Sequence, residues 1–127
     1  MGISTVEDSE RRLLAATVIG EVTVPEIQQF IRTSRTGEQR AWSLLFDMTQ
    51  ATTAIESMQV RGLADQVGST VRQEGPRAPV ALVAPSDILY GLGRMYQTLC
   101  QHQGVDVIGV FRTRAEADAW LGEQSAT

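Results

Sequence analysis

Three Thr-x-x-Glu pairs, Thr23/Glu26, Thr53/Glu56 and Thr113/Glu116, punctuate this chain, and each follows an apolar run. At that spacing a threonine hydroxyl and a glutamate carboxylate satisfy each other's backbone N–H groups at a helix start. The runs ahead of them, 11–19, 42–48 and 105–111, have the length and β-branched content of strands. A fourth run, 79–84, is apolar without alternation, as expected of a strand buried on both faces. Pro85-Ser86-Asp87 then opens another helix. Strand, cap and helix in repeated succession leave few architectures. The strands form a mainly parallel sheet, and the helices cross over to cover its faces.

The details fill in that frame. Ile3–Glu7 alternates weakly and predicts a first strand, antiparallel to 11–19 across the turn Asp8-Ser9-Glu10. The first helix has Pro25 in its first turn, a Val22/Ile27 staple and the stripe Ile27, Phe30, Ile31, with Gly37 as its stop. The second carries Val60, Leu63, Ala64, Val67 and Val71 on one face and ends at Gly75-Pro76-Arg77. The third has the stripe Ile88, Leu89, Leu92, Met95, Tyr96, Leu99 and Cys100, with Tyr90, Arg94, Gln97 and Gln101 opposite. Gly91 inside it predicts a close approach by a strand, a neighbouring helix or a partner subunit. Ala117, Trp120 and Leu121 form the buried stripe of a last helix, which frays over residues 123–127. The expected core is Leu14, Val18, Leu45, Leu82, Val83, Leu92, Leu99, Val110, Trp120 and Leu121.

At 127 residues, one domain spanning 1–127 is the expectation, able to bury about two-thirds of its unfolded surface. Exclusions narrow the function. All 11 basic residues are arginine, which removes lysine-based phosphate loops, Schiff bases and Ser–Lys dyads. A single His102 and a single Cys100 cannot furnish the usual three or four zinc ligands. On one helix those two also point about 200° apart, so they form no dyad. No metal and no cofactor is expected. The net charge of −4 disfavours nucleic acid as a partner. No apolar run nears the roughly 20 residues of a membrane span. Nor does the start, Met1-Gly2-Ile3-Ser4, resemble a signal peptide. A cytoplasmic protein is expected.

Several segments together resemble a known family. Gly20-Glu21-Val22-Thr23, Phe46-Asp47-Met48-Thr49, Val80–Ala84, Tyr90-Gly91-Leu92-Gly93-Arg94-Met95-Tyr96 and the closing Val110-Phe111-Arg112-Thr113 with Glu116, Ala117, Trp120 and Leu121 resemble the SpoIIAA-like (STAS-like) bacterial domains. The resemblance runs through the whole chain in order. It implies an α/β fold with a mixed, mostly parallel sheet of four to five strands and about four helices. STAS domains act as anti-sigma-factor antagonists regulated by phosphorylation, and the SpoIIAA-like branch resembles the CRAL-TRIO lipid-binding fold in topology. The chain departs from the antagonists at one point. Where they carry an Asp-Ser-Ser-Gly-type segment, it has Gln50-Ala51-Thr52-Thr53-Ala54-Ile55-Glu56-Ser57. The phosphorylation switch is therefore not implied.

Candidate site residues gather where parallel strands deliver their carboxyl ends and helices their N-termini. They are Asp47, Met48, Thr49, Thr53, Met58, Ser86, Tyr90 and Arg112. Arg112 would pair with Asp47 if their strands were neighbours, or hold an anionic head group. Met48, Ile55, Met58 and Tyr90 would line an apolar cleft between the two central helices. Each has a plain alternative: Asp47 and Ser86 as caps of N–H groups, the methionines as core filling, Cys100 as an inert buried thiol. The leading expectation is a non-enzymatic regulatory or protein-interaction domain, homodimeric. The alternative is a binder of a small apolar or lipid-like ligand. An apolar cavity of roughly 300 Å³ or more would favour the ligand, and a closed helix seam the partner.

Overall fold

In a computed structural model of the chain, residues 2–52, 55–105 and 107–125 are described. Five strands form one sheet in the order of the chain: β1 (Gly2–Asp8), β2 (Leu13–Gly20), β3 (Ser43–Ala51), β4 (Val80–Val83) and β5 (Ile108–Phe111). β1 runs antiparallel to β2, and the remaining pairs are parallel. Four helices accompany them: α1 (Val24–Thr33), α2 (Ser57–Glu74), α3 (Asp87–His102) and α4 (Arg114–Ser125). The mixed, mostly parallel α/β architecture read from the sequence is the one observed.

Because the strands follow one another across the sheet, every crossover steps the same way. Right-handed crossovers then place α1, α2 and α3 on one face. Ile27 and Phe30 of α1, Ala64 of α2 and Leu89 and Cys100 of α3 pack there with Leu14, Leu44, Phe46, Leu82 and Val110. α4 follows β5 and covers the other face, where Ala117 and Leu121 meet Leu13, Leu45, Ala81 and Val83. β4 lies between β3 and β5 with both faces covered, which is why its sequence shows no alternation.

The caps at Thr23 and Thr113 form as the spacing predicts. Each threonine hydroxyl accepts the backbone N–H three residues on, at 3.3 Å from Glu26 and 3.2 Å from Glu116. The Thr53/Glu56 pair does not cap α2. Thr53 lies outside the described residues, and Glu56 itself is the N-cap, its N–H donating to Gln59 Oε1 at 2.9 Å. α1 stops at Thr33, four residues before Gly37, because Ser34 turns extended and Arg35 takes a left-handed φ of 52°. Gly37 instead begins a short 3-10 turn to Ala41. β5 starts at Ile108, since the Val105 N–H is spent on Cys100 O at the end of α3. α4 persists through Ser125 rather than fraying at 123.

Two predicted packing roles move. Gly91 faces open space, whereas a Cβ on Gly93 would sit 2.9 Å from Val110 Cγ1. Gly93 is the residue that lets α3 approach β5. Ile88 is 77% exposed, because adjacent helix positions lie about 100° apart and Leu89 takes the inward place. Of the expected core, Leu92, Leu99 and Trp120 are half-buried and the rest are buried. Among the described residues no helix is long and apolar enough to cross a membrane.

Candidate functional site

A cavity of about 130 Å³ lies beneath α2. Leu44, Phe46 and Met48 of β3, Val80 and Leu82 of β4 and Ile108 of β5 form its floor. Val60, Leu63, Val67 and Val71 form its roof, spaced along a single stripe of α2. Ile27, Phe30 and Ile31 of α1 and Leu89, Leu92 and Tyr96 of α3 close the sides. The space is smaller than pockets for drug-sized ligands, roughly 300–1,000 Å³. It is close to the ~150 Å³ apolar cavity that accepts benzene.

One end of this apolar chamber is charged. Arg35 and Arg77 both line it, near the amino-terminal ends of β3 and β4. Arg35 is only 4% exposed. Its Nη1 donates to Trp42 O at 3.1 Å and Ala78 O at 2.9 Å. Its Nε is buried with no hydrogen-bond partner, as is the Nε of half-buried Arg77. Burial, reinforced by the neighbouring Arg77 charge, lowers the Arg35 guanidinium to about 10, so it remains a cation at neutral pH. Burial also lowers Arg77, against the pull of Glu74. That carboxylate is already engaged by Arg40, at 3.5 Å. Tyr96 feels both arginine charges, yet burial raises its hydroxyl well above 10.0. Buried guanidinium groups short of partners are costly.

The predicted carboxyl-edge cluster is divided by the sheet. Met48 and Ile55 line the cavity. Asp47, one residue along β3, points to the α4 face, 7% exposed. Its Oδ1 accepts from the Thr49 N–H at 2.8 Å and the Thr49 hydroxyl at 2.5 Å, and Arg114 lies 3.4 Å from Oδ2. Arg112 does not pair with Asp47, because β4 stands between β3 and β5. It bonds Asp87 at 2.7 Å and lies over the Tyr90 ring, 4.2 Å from its centroid. Tyr90 itself is half-buried and packs against the core instead of staying on the outer face of α3. Ser86 is a plain cap, accepting the Leu89 N–H at 3.1 Å. Met58 is 83% exposed and stays outside the cavity, since it lies off the stripe that α2 turns inward. The cleft lies over the sheet and is lined by both central helices, α2 and α3, together with α1; Met48 and Ile55 of the expected lining reach it, and Met58 does not.

Cys100 is fully buried, and desolvation pushes its thiol up to about 11. His102 is exposed near the end of the same helix. Arg35 and Arg77 were not foreseeable from pattern. Both sit in short polar connections, Ser34–Gly37 and Gly75–Ala78, where an arginine ordinarily reads as solvated.

No protein-family model matches the chain, and no curated protein matches it in sequence. A structural match does exist: an uncharacterized DUF3478-family protein from Shewanella loihica PV-4, described as having a SpoIIAA-like fold. It shares 15% identity at a TM-score of 0.56, over 94% of this chain and 92% of that one. The fold is SpoIIAA-like. The five-stranded sheet with one antiparallel edge and four helices is consistent with that fold. At this identity the SpoIIAA-like likeness speaks to architecture, and the cavity stands on its own residues.

Proposed function

We propose that this SpoIIAA-like chain is a non-catalytic binding domain that takes a small apolar ligand into the chamber beneath α2. The observation that carries the reading is the cavity itself, walled by apolar side chains from α1, α2, α3 and three strands. A core that merely held the fold together would close such a space, since each unfilled volume costs stability. The sequence ranks a partner surface first and a ligand second; at about 130 Å³ the cavity falls short of the roughly 300 Å³ expected for a drug-sized ligand, and it supports the ligand reading only for a molecule near the size of a single aromatic ring or a short alkyl chain. A nucleophilic role for Cys100 finds no support, with its thiol buried and its acidity suppressed.

Titration with two neutral apolar probes, toluene and octanol, followed by NMR of the side-chain methyl groups, tests this. Shifts centred on Val67, Leu82 and Val60 are expected. Val67→Phe should fill the space, retain the thermal midpoint and abolish the shifts. Absence of shifts with either probe would contradict the reading.

A second reading, a protein-interaction surface with a homodimer as the nearest case, draws on Met58 and Ile88. Both are exposed, at 83% and 77%, in the first turns of α2 and α3, which start at the same edge of the sheet.

A further inference from the structure

The chamber is apolar along most of its length but ends in two guanidinium groups. Arg35 is held in place by the carbonyls of Trp42 and Ala78, which use its Nη1. Its Nε has no partner, and the Nε of Arg77 is in the same state. Neither arginine is in an ion pair among the described residues. The nearest acid, Glu74, is committed to Arg40, which also donates to the backbone carbonyls of Glu74 and Gly75. Three arginines and one carboxylate thus meet at this edge, in a chain whose net charge is −4. A side chain that served only to tie β3 to β4 would need the two Nη1 bonds and nothing more. The Nε of each arginine is left over, and both side chains line a chamber otherwise made of hydrocarbon.

We propose that the ligand is a small amphipathic monocarboxylate, its carboxylate held between Arg35 and Arg77 and its hydrocarbon part lying under α2. This rests on the binding reading above and specifies the chemistry of its ligand. The match is geometric and electrostatic. A carboxylate has acceptor lone pairs for the donors left over, and a guanidinium presents planar N–H groups suited to it. Tyr96 lies close enough to feel both arginine charges, but its hydroxyl is engaged with Cys100, so the two guanidinium groups alone supply the donors. The floor from Leu44 to Met48 spans about 13 Å at ~3.3 Å per strand residue, room for a medium-length alkyl chain or a single aromatic ring. The cavity volume of about 130 Å³ excludes long acyl chains and two-tailed lipids from full enclosure.

Isothermal titration of the intact protein with octanoate, octanol and acetate tests the assignment. Octanoate should bind about tenfold or more tightly than octanol at neutral pH, as charge-assisted hydrogen bonds from a guanidinium pair require. Acetate, the head group without a tail, should give no measurable heat. Arg77→Gln should bring octanoate affinity down toward that of octanol and leave octanol unchanged. Arg35→Lys should do the same, with its fold checked by circular dichroism; should it unfold, Arg77→Gln decides. If octanol and octanoate bind equally, the carboxylate assignment is overturned while the apolar cavity stands. If neither binds, both fall. An octanoate preference that survives in both variants would place the anion elsewhere and overturn the assignment to this pair.

Discussion

At the scale of single residues, burial sets the chemistry more than residue type does. Cys100 is the clearest case. Its thiol is raised from 9.0 to about 11 by desolvation. Below pH 9 both folded and unfolded chains keep that proton. Between the two values the unfolded chain releases it and the folded chain holds it, so stability falls as pH rises, by up to about 1.4 kcal/mol per unit. Tyr96, raised well above 10.0, pushes the same way from about pH 10. Arg35 pushes the other way above its lowered value of about 10, where the unfolded chain binds the extra proton. The window from pH 9 to 10 therefore isolates the thiol. Urea midpoints measured across it should fall for the parent and stay nearly flat for Cys100→Ala. The same residues show what sequence leaves hidden. Cys100 falls on an apolar stripe and reads as an inert core thiol, but nothing in Ser34-Arg35-Thr36-Gly37 distinguishes a buried arginine from a solvated one. The left-handed φ of 52° that turns Arg35 inward leaves no signature in the residue itself, which is not glycine.

At the scale of elements, periodicity and caps were legible because they are local. The strands read at 11–19, 42–48 and 79–84 appear at 13–20, 43–51 and 80–83, and the helices follow from their apolar stripes, with capping spacing marking the starts of α1 and α4 but not of α2. Contacts between elements were not, because they depend on which strand neighbours which. The Asp47–Arg112 pair fails for that reason alone: β4 intervenes. The close approach of α3 to β5 belongs to Gly93, two positions and about 200° around the helix from Gly91, which faces open space within the chain. The pair gives a differential prediction. Gly93→Ala places a methyl 2.9 Å from Val110 Cγ1, a branched side chain packed in the core, and should cost about 1–3 kcal/mol. Gly91→Ala meets nothing within 4 Å on an exposed helix face and should stabilise by about 0.5–1 kcal/mol. Chemical denaturation of both variants checks the sign of each.

At the scale of the whole molecule, the two faces of the sheet are unequal. Three helices cover one and enclose the cavity; a single helix covers the other with close-packed Ala117 and Leu121. The carboxyl edge presents Met58 and Ile88 to solvent. If that edge is where two copies meet, light scattering at micromolar concentration should give twice 13.9 kDa. The double substitution Met58→Ser and Ile88→Ser should then return the monomer mass without changing octanol binding. A parent that scatters as a monomer would remove the homodimer reading and leave the cavity reading intact.

The strand order carries a further consequence, in time rather than in space. Each new strand from β2 onward pairs with the one made just before it, so the sheet can extend as the chain leaves the ribosome. The face under α4 cannot be completed in that way. Leu13, Leu45, Ala81 and Val83 are in place early, yet their cover comes from the final residues of the fold. A nascent chain therefore carries a bare apolar sheet surface until α4 has emerged and folded onto it. Chains stalled at Thr113 should bind a hydrophobic dye strongly and recruit a chaperone, and both signals should vanish once Ser125 has emerged. Stalled chains that stay dye-silent would show that the opposite layer alone suffices to hold the fold.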